Sequence, residues 1–254
     1  MAPMWSIAED AGEFLRAAGE FLGAAPVDNT VLLTEAGYLE AYPSSGARFG
    51  WHRTAHGVAG AFLQAPRHPP VLSMMSDDAL ESLVDIVAPP FDVDGRMVPR
   101  SKRIWDIERE SRITLYRLGT LRVQAQPPGR ARIATPADRE RLMRWFDTLM
   151  AASPGDPSDL AYVVDDPLSY GGITLWEVDG VPTAMAGRSR LVAGMVRLGA
   201  VYPDDEYGRA AFAVACAEAR EYARYVLVFG PDGVGTGYRD LGFEPVLDRV
   251  LLSA

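Results

Sequence analysis

The chain has 254 residues, room for two domains of ordinary size, and its 48% hydrophobic and 23% charged content suits a protein with an ample core. No run of about 18 apolar residues occurs, which excludes a membrane-spanning helix, and Met1-Ala2-Pro3-Met4-Trp5 lacks the basic start of a secretory leader. A net charge of −9, a single cysteine and three histidines without metal-ligand spacing speak against nucleic-acid binding, a disulfide framework and a metal centre, and point to a cytoplasmic location.

Ile7, Ala11, Phe14, Ala18, Phe21 and Leu22 recur at helical spacing and predict an amphipathic helix over 7–22. Val31-Leu32-Leu33 predicts a short strand. Strands over 49–53 and 58–64 flank His56-Gly57, whose glycine suits a hairpin turn, and another strand follows over 71–75. Ser76-Asp77-Asp78-Ala79 caps a helix running to Val87, with acids at the positive end of its dipole, and Pro89-Pro90 ends it. A helix over 101–109 and a strand over 113–118 complete a first α/β unit, and Pro127-Pro128-Gly129 marks a linker over 124–129. Residues 96–144 carry 13 basic side chains against five acidic ones, in a chain whose only lysine is Lys102. Such a segment either faces an acidic or phosphate-bearing partner or is neutralised by ion pairs with the acidic remainder.

Thr135-Pro136-Ala137-Asp138 supplies an N-cap, a proline for the first helical position and an acid for the first turn. Leu142, Trp145, Phe146 and Leu149 form the buried stripe of the helix that follows, and 153–159 is a polar loop. Strands over 173–178 and 182–187 flank Asp179-Gly180, a type I′ hairpin signal. A strand over 195–202, a helix over 210–224 and a strand over 225–229 come next, with Cys216 as a small core residue of that helix. Within Tyr238-Arg239-Asp240-Leu241-Gly242-Phe243-Glu244-Pro245, Gly242 ends a helix with a left-handed cap, before strands over 243–246 and 249–252.

This order of elements, and a tyrosine followed four residues later by Gly242-Phe243, resemble the GCN5-related N-acetyltransferases (the GNAT superfamily). The resemblance covers residues 130–252 in pattern; the first half repeats the hairpin-strand-helix order more weakly. It implies an α/β (α+β) fold with a degenerate GNAT-like lobe over 1–125 and an N-acyltransferase lobe over 130–254. The mixed sheet of the second lobe is expected to splay between Met195-Val196-Arg197-Leu198-Gly199-Ala200-Val201-Tyr202-Pro203 and the strand over 225–229, with Gly199 as the bulge that opens it. In the family a pantetheine arm fills that gap, which assigns donor contacts to Ala200, Val201 and Tyr202 and an oxyanion donor to the backbone near Ala200 or Val201. The family's tyrosine protonates the departing thiolate, a role that falls on Tyr238. Its Arg/Gln-x-x-Gly-x-Gly/Ala loop, which cradles the coenzyme A pyrophosphate, falls on 205–213, with Gly208, Arg209, Ala210 and Ala211 as the contacts. There Gly208 stands in place of Arg or Gln, and Ala211 in place of glycine. The family's Asn-containing loop is replaced by Gly230-Pro231-Asp232-Gly233-Val234-Gly235-Thr236-Gly237.

The implied reaction is N-acyl transfer from acetyl-CoA or acyl-CoA to a small-molecule amine, in secondary metabolism, with Glu177 and Glu206 as candidate bases and no metal. The altered pyrophosphate loop leaves alternatives open. The donor arm could be phosphopantetheine on an acidic carrier protein docked at 96–144, or the donor could be an aminoacyl-tRNA; a GNAT-like protein that binds without transferring is a third. No Gly-x-Ser-x-Gly, P-loop or dinucleotide fingerprint competes with these readings.

Overall fold

A computed structural model describes residues 4–122, 125–153, 156, 158–231 and 236–254. Its elements in chain order begin β1 (Met4–Ala8), α1 (Ala11–Ala24), α2 (Thr30–Ala41), β2 (Arg48–Thr54), β3 (Gly57–Gln64), β4 (Val71–Leu72), α3 (Asp77–Glu81), β5 (Phe91–Asp94), α4 (Val98–Ile104) and β6 (Arg109–Leu118). They continue with β7 (Arg130–Ile133), α5 (Arg139–Ala152), α6 (Asp166–Ser169), β8 (Ile173–Val178), β9 (Val181–Arg188), β10 (Met195–Tyr202), α7 (Glu206–Arg220), β11 (Tyr225–Pro231), α8 (Thr236–Asp240) and β12 (Phe243–Ser253). Each half reads β-α-α-β-β-β-α-β-α-β. The chain forms two units, Met1–Leu115 with Val246–Ala254, and Tyr116–Pro245. It therefore passes from the first unit to the second inside β6, upstream of the proline-rich segment that the sequence marks as a linker, and returns inside β12.

In the first unit the strand order is β1-β2-β3-β4-β5-β12-β6. Asp10 caps α1 by accepting from the Glu13 N–H at 2.6 Å, which sets the helix start later than position 7 and frees Met4–Ala8 to pair with β2. The Phe14 ring lies 5.2 Å from that of Phe49 on β2, so the apolar stripe of α1 meets the sheet. Val31-Leu32-Leu33 is helical rather than a strand: Leu32, Leu33, Ala36 and Leu39 are buried at helical spacing within α2, and a three-residue apolar run cannot reveal that continuation. The strand expected over 71–75 shrinks to two residues because the Ser73 hydroxyl accepts from the Ala61 N–H at 2.9 Å. The parallel pairing of β4 with β5 consists of Val71 opposite Asp92. The helix expected over 101–109 starts at Val98 and ends at Ile104, leaving Arg109 to begin β6.

The strands expected over 243–246 and 249–252 are one strand, β12. Its Arg249 is buried at 3% exposure, donates to Asp92 Oδ1 at 2.7 Å and reaches the Leu72 and Asp92 carbonyls at 3.1 Å. A guanidinium held this way joins β12 to β4 and β5 by charge-assisted bonds.

In the second unit the order is β12-β6-β11-β10-β9-β8-β7, with only the first residues of β12 and the last three of β6 taking part. Alternation sorts the side chains: Trp176, Ala184, Ala186, Val196, Leu198, Val226 and Val228 cluster with Phe212, Ala215 and Cys216 of α7. Ile173, Leu175 and Met185 cluster on the opposite face with Leu142 of α5. Asp179 and Gly180 both have positive φ, +52° and +79°, as the type I′ turn between β8 and β9 requires. Thr135 is the expected N-cap, and with Asp138 it forms a capping box.

Removing the buried guanidinium tests the first unit's register. Arg249→Met is expected to cost about 3 kcal/mol, because it leaves the Asp92 carboxylate without its partner, as read by urea denaturation. A loss below about 0.5 kcal/mol would show that the pair contributes nothing beyond a surface ion pair.

Candidate active site

Parallel pairing between β10 and β11 runs from Met195 opposite Tyr225 to Leu198 opposite Val228, and stops. Both strands continue, β10 to Tyr202 and β11 to Pro231, with no further paired position among the described residues. The cause lies on the other edge of β10. Gly199 pairs with Gly187 and Tyr202 with Met185, which puts one extra residue into β10. Ala200 takes that residue's conformation, with φ at +49°. The bulge expected at Gly199 is therefore centred on Ala200, a residue that pays strain for a left-handed backbone and is held by its neighbours. Val201 packs on the α7 side of the sheet, while Ala200 and Tyr202 pack on the α5 side, the Tyr202 ring 5.7 Å from that of Trp145.

Tyr238 sits on α8 beside the stretch of β11 that lies beyond this pairing. A Cβ on Gly230, two residues past the last paired position of β11, would lie 2.7 Å from Tyr238 Cε2, so the absence of a side chain there makes room for the ring. Tyr116 and Phe212, each with ring centroids 5.7 Å away, and Phe243 at 6.0 Å complete its surroundings. Burial pushes the phenol's pKa up, the Asp204 carboxylate adds to the rise, and Tyr238 is held protonated across neutral pH. Gly242, at φ +97°, ends α8 as expected; a side chain there would strike the Thr120 carbonyl, and the Gly119 N–H donates to the Gly242 carbonyl at 3.0 Å. The loop sequence from Asp232 to Gly235 lies outside the described residues.

The helix after β10 begins at Glu206, four residues before the start expected from its alanine run. Asp205 is its N-cap, and Oδ1 accepts from the N–H groups of Tyr207 at 2.9 Å and Gly208 at 3.0 Å. A side chain at Gly208 would collide with the Pro203 carbonyl, so this glycine serves the fold of the loop itself. Ala210 and Ala211 are buried in the core beneath α7, which removes their side chains from any ligand surface; Arg209 and Glu206 are exposed. Of the residues expected to bind the donor, Ala200, Val201 and Tyr202 lie on β10 beyond its last position paired with β11, and Ala210 and Ala211 have buried side chains.

Neither a model of a known protein family nor a curated protein matches the sequence. Solved structures do match. The chain is similar to a GNAT-family acetyltransferase from Colwellia psychrerythraea with a TM-score of 0.64 and 12% identity, covering 98% of this chain and 99% of that one. It is similar to a GCN5-related N-acetyltransferase from Sphaerobacter thermophilus with a TM-score of 0.59 and 13% identity, over 99% and 95% of the two chains. A third, from Kribbella flavida, gives 0.52 with 20% identity, over 77% and 87%. The fold is that of the GCN5-related N-acetyltransferases.

Within this GNAT fold Glu177 does not stand at the gap. It lies on β8, two strands from β10 and so about 10 Å away across the sheet. Its carboxylate accepts from Arg132 Nε at 2.5 Å and from Arg130 Nη2 at 3.4 Å. The Arg132 hydrogen bond holds it below the usual carboxylate range, which weakens it as a base. Arg132 also grips Asp138 through two bonds of 2.8 Å, tying β7 to the cap of the helix that follows. The same fate meets much of the arginine-rich segment. Arg96 pairs with Asp94 and Asp28, Arg100 with Asp77, Lys102 and Arg112 with Glu110, and Arg139 with Asp165. Ion pairs with acids of the chain itself account for these charges.

Sequence patterning does not single out Arg197, whose side chain leaves β10 on the face away from α7. Its Nη2 donates to Tyr162 Oη at 2.5 Å and its guanidinium lies 5.9 Å from the centroid of Phe229, one residue past the last paired position of β11. Asp205 could have been found, since an aspartate ahead of a helical run is a capping signal. The positive φ of Ala200 could not, since nothing local favours that conformation at alanine. Among the described residues no helix is long and apolar enough to cross a membrane, and no group of side chains could hold a metal ion.

The Arg132 cluster gives the second unit an acid-sensitive joint. Hydrogen bonding to Arg132, then to Thr135, pulls the Asp138 pKa down to about 2. An unfolded aspartate takes up its proton near pH 4, so the stabilisation is complete above about pH 4 and is lost as pH falls toward about 2. Arg132→Met is expected to lower Tm at neutral pH and to flatten the decline of Tm across that window. A parallel decline in variant and parent would remove Arg132 as its cause.

Proposed function

We propose that the protein is an N-acyltransferase that moves an acyl group from a pantetheine thioester, acetyl-CoA or another acyl-CoA in the simplest case, to a small amine. One observation carries the reading: the β10–β11 pairing ends at Leu198 and Val228, and the ring of a protonated tyrosine, Tyr238, packs against Gly230 on the stretch of β11 just beyond. Unpaired backbone along a strand suits an amide-bearing thread laid in as a further strand, which is how a pantetheine arm would be held. Similarity of fold to proteins described as acetyltransferases supports the reaction class.

In the step this geometry supports, the amine nitrogen attacks the thioester carbonyl carbon. The C–N bond forms, the C–S bond breaks with its electron pair on sulfur, and the phenol proton of Tyr238 passes to that sulfur. The nitrogen releases its proton to water; Glu206, exposed at the first turn of α7, stands at the diphosphate end of a donor and not beside the thioester. Backbone N–H groups at Ala200 or Val201, turned by the bulge, are the candidates to steady the carbonyl oxygen. Arg197, Tyr162 and Phe229 would form the acceptor side of the gap. We read the first unit as a degenerate lobe of the same design, since it repeats the element order around a β4 of two residues.

Thiol release from acetyl-CoA in the presence of an amine panel measures the activity. Tyr238→Phe is expected to lower kcat about 10²-fold with little change in donor Kd. The parent's rate should fall only as pH rises above the ordinary tyrosine value of about 10, and the variant should lack that basic limb. A variant as fast as the parent takes the acid role away from Tyr238.

A further inference from the structure

The first four N–H groups of a helix have no partner within it, and this makes a helix N-terminus the usual seat for a donor's diphosphate. In α7 that seat is taken. Asp205 Oδ1 accepts from Tyr207 and Gly208, and the Arg209 N–H donates to the Asp205 carbonyl at 3.0 Å, leaving only the Glu206 N–H. The loop also closes on itself, for the side of Gly208 where a Cβ would stand is filled by the Pro203 carbonyl. Charge points the same way. Asp204, Asp205 and Glu206 set three carboxylates around the helix start, against the single guanidinium of Arg209. A diphosphate brought here would meet like charge and find its amide donors already bonded. At the gap between β10 and β11 nothing of the kind stands in the way, because the pairing is open beyond Leu198.

Resting on the acyl-transfer reading above, we propose that the donor is selected through its pantetheine arm alone, Asp205 holding the amides that a donor diphosphate would need. Asp205 is thus a specificity-determining residue: its carboxylate does internally what the ligand's phosphate would do, and the nucleotide end of coenzyme A contributes no recognition at α7. The donor is accordingly a pantetheine thioester, either free or borne on a carrier protein.

Calorimetric titration of the intact protein with acetyl-CoA, acetyl-dephospho-CoA and S-acetylpantetheine separates the two ends of the donor. Kd values within about fivefold of one another are expected, whereas nucleotide-bearing donors that bind more than about fivefold tighter than the arm overturn the proposal and leave the acyl-transfer reading standing. Failure of all three to bind at millimolar concentration removes the acyl-transfer reading, and this inference with it. Asp205→Asn keeps a capping oxygen without the charge. Asp205→Gly, which removes the capping oxygen as well and frees the Tyr207 and Gly208 amides, is expected to favour acetyl-CoA over S-acetylpantetheine about tenfold more than the parent does, and Asp205→Asn, with the amides still taken, by less. An unchanged ratio in Asp205→Gly shows that Asp205 does not govern the choice, and the proposal fails. A carrier protein bearing the acetylated arm distinguishes the sources: binding tighter than S-acetylpantetheine assigns a protein-borne donor and equal binding a free one, both in accord with selection by the arm.

Discussion

Beyond Leu198 the hydrogen bonds between β10 and β11 give out, and what the second unit offers to chemistry follows from that interruption. It is produced from the opposite edge of the strand, where one additional residue against β9 forces Ala200 to a positive φ. A non-glycine residue in that conformation costs about 1–3 kcal/mol and persists only where surrounding contacts over-determine it. Here they do: Leu198 and Val201 are anchored on the α7 side, Ala200 and Tyr202 on the α5 side. Strain and packing together hold open a pair of strands whose backbone groups would otherwise bond to each other.

The phenol of Tyr238 depends on the same opening. Its ring needs the empty face of Gly230, on a stretch of β11 that no longer pairs with β10, and is enclosed by Tyr116, Phe212 and Phe243. Helix α8 is short, yet the Gly242 turn and the contacts of Gly119 and Thr120 hold its C-terminal end in place. Rigidity comes from that loop and from aromatic packing, where helix propensity alone would fail beside so many glycines.

Electrostatics in this chain is mostly internal. An acidic protein with a cationic middle segment invites the thought of a docking surface, but Arg96, Arg100, Arg112, Arg132 and Arg139 are engaged by acids, several of them distant in sequence. Glu177 shows the consequence for chemistry, because a carboxylate committed to two guanidinium groups is a brace for β7 and β8. Asp205 is committed in the same sense to the amides of its own helix.

Local signals carried much of the architecture. The capping box of Thr135 and Asp138, the Asp179-Gly180 turn, the Gly242 cap and the alternating strands of the second unit are contacts between near neighbours, so residue type and spacing suffice to read them. Tyr238 was legible for the same reason, as a tyrosine one turn before a left-handed glycine. The rest needed distant partners. Whether Val31-Leu32-Leu33 is strand or helix depends on which surface buries it, and whether Glu177 is a base or a brace depends on Arg130 and Arg132 lying across from it on β7. Ala200 acquires its conformation from the register of β9, and Asp205 reveals its role only once α7 starts at Glu206 and the Pro203 carbonyl closes over Gly208. Residue type and spacing determined the turns, the caps and the strands of the second unit, while Tyr238 was singled out by a family resemblance. Which backbone groups are left open and which are already taken was decided by tertiary contacts, because hydrogen-bond partners remote in sequence leave no trace in spacing.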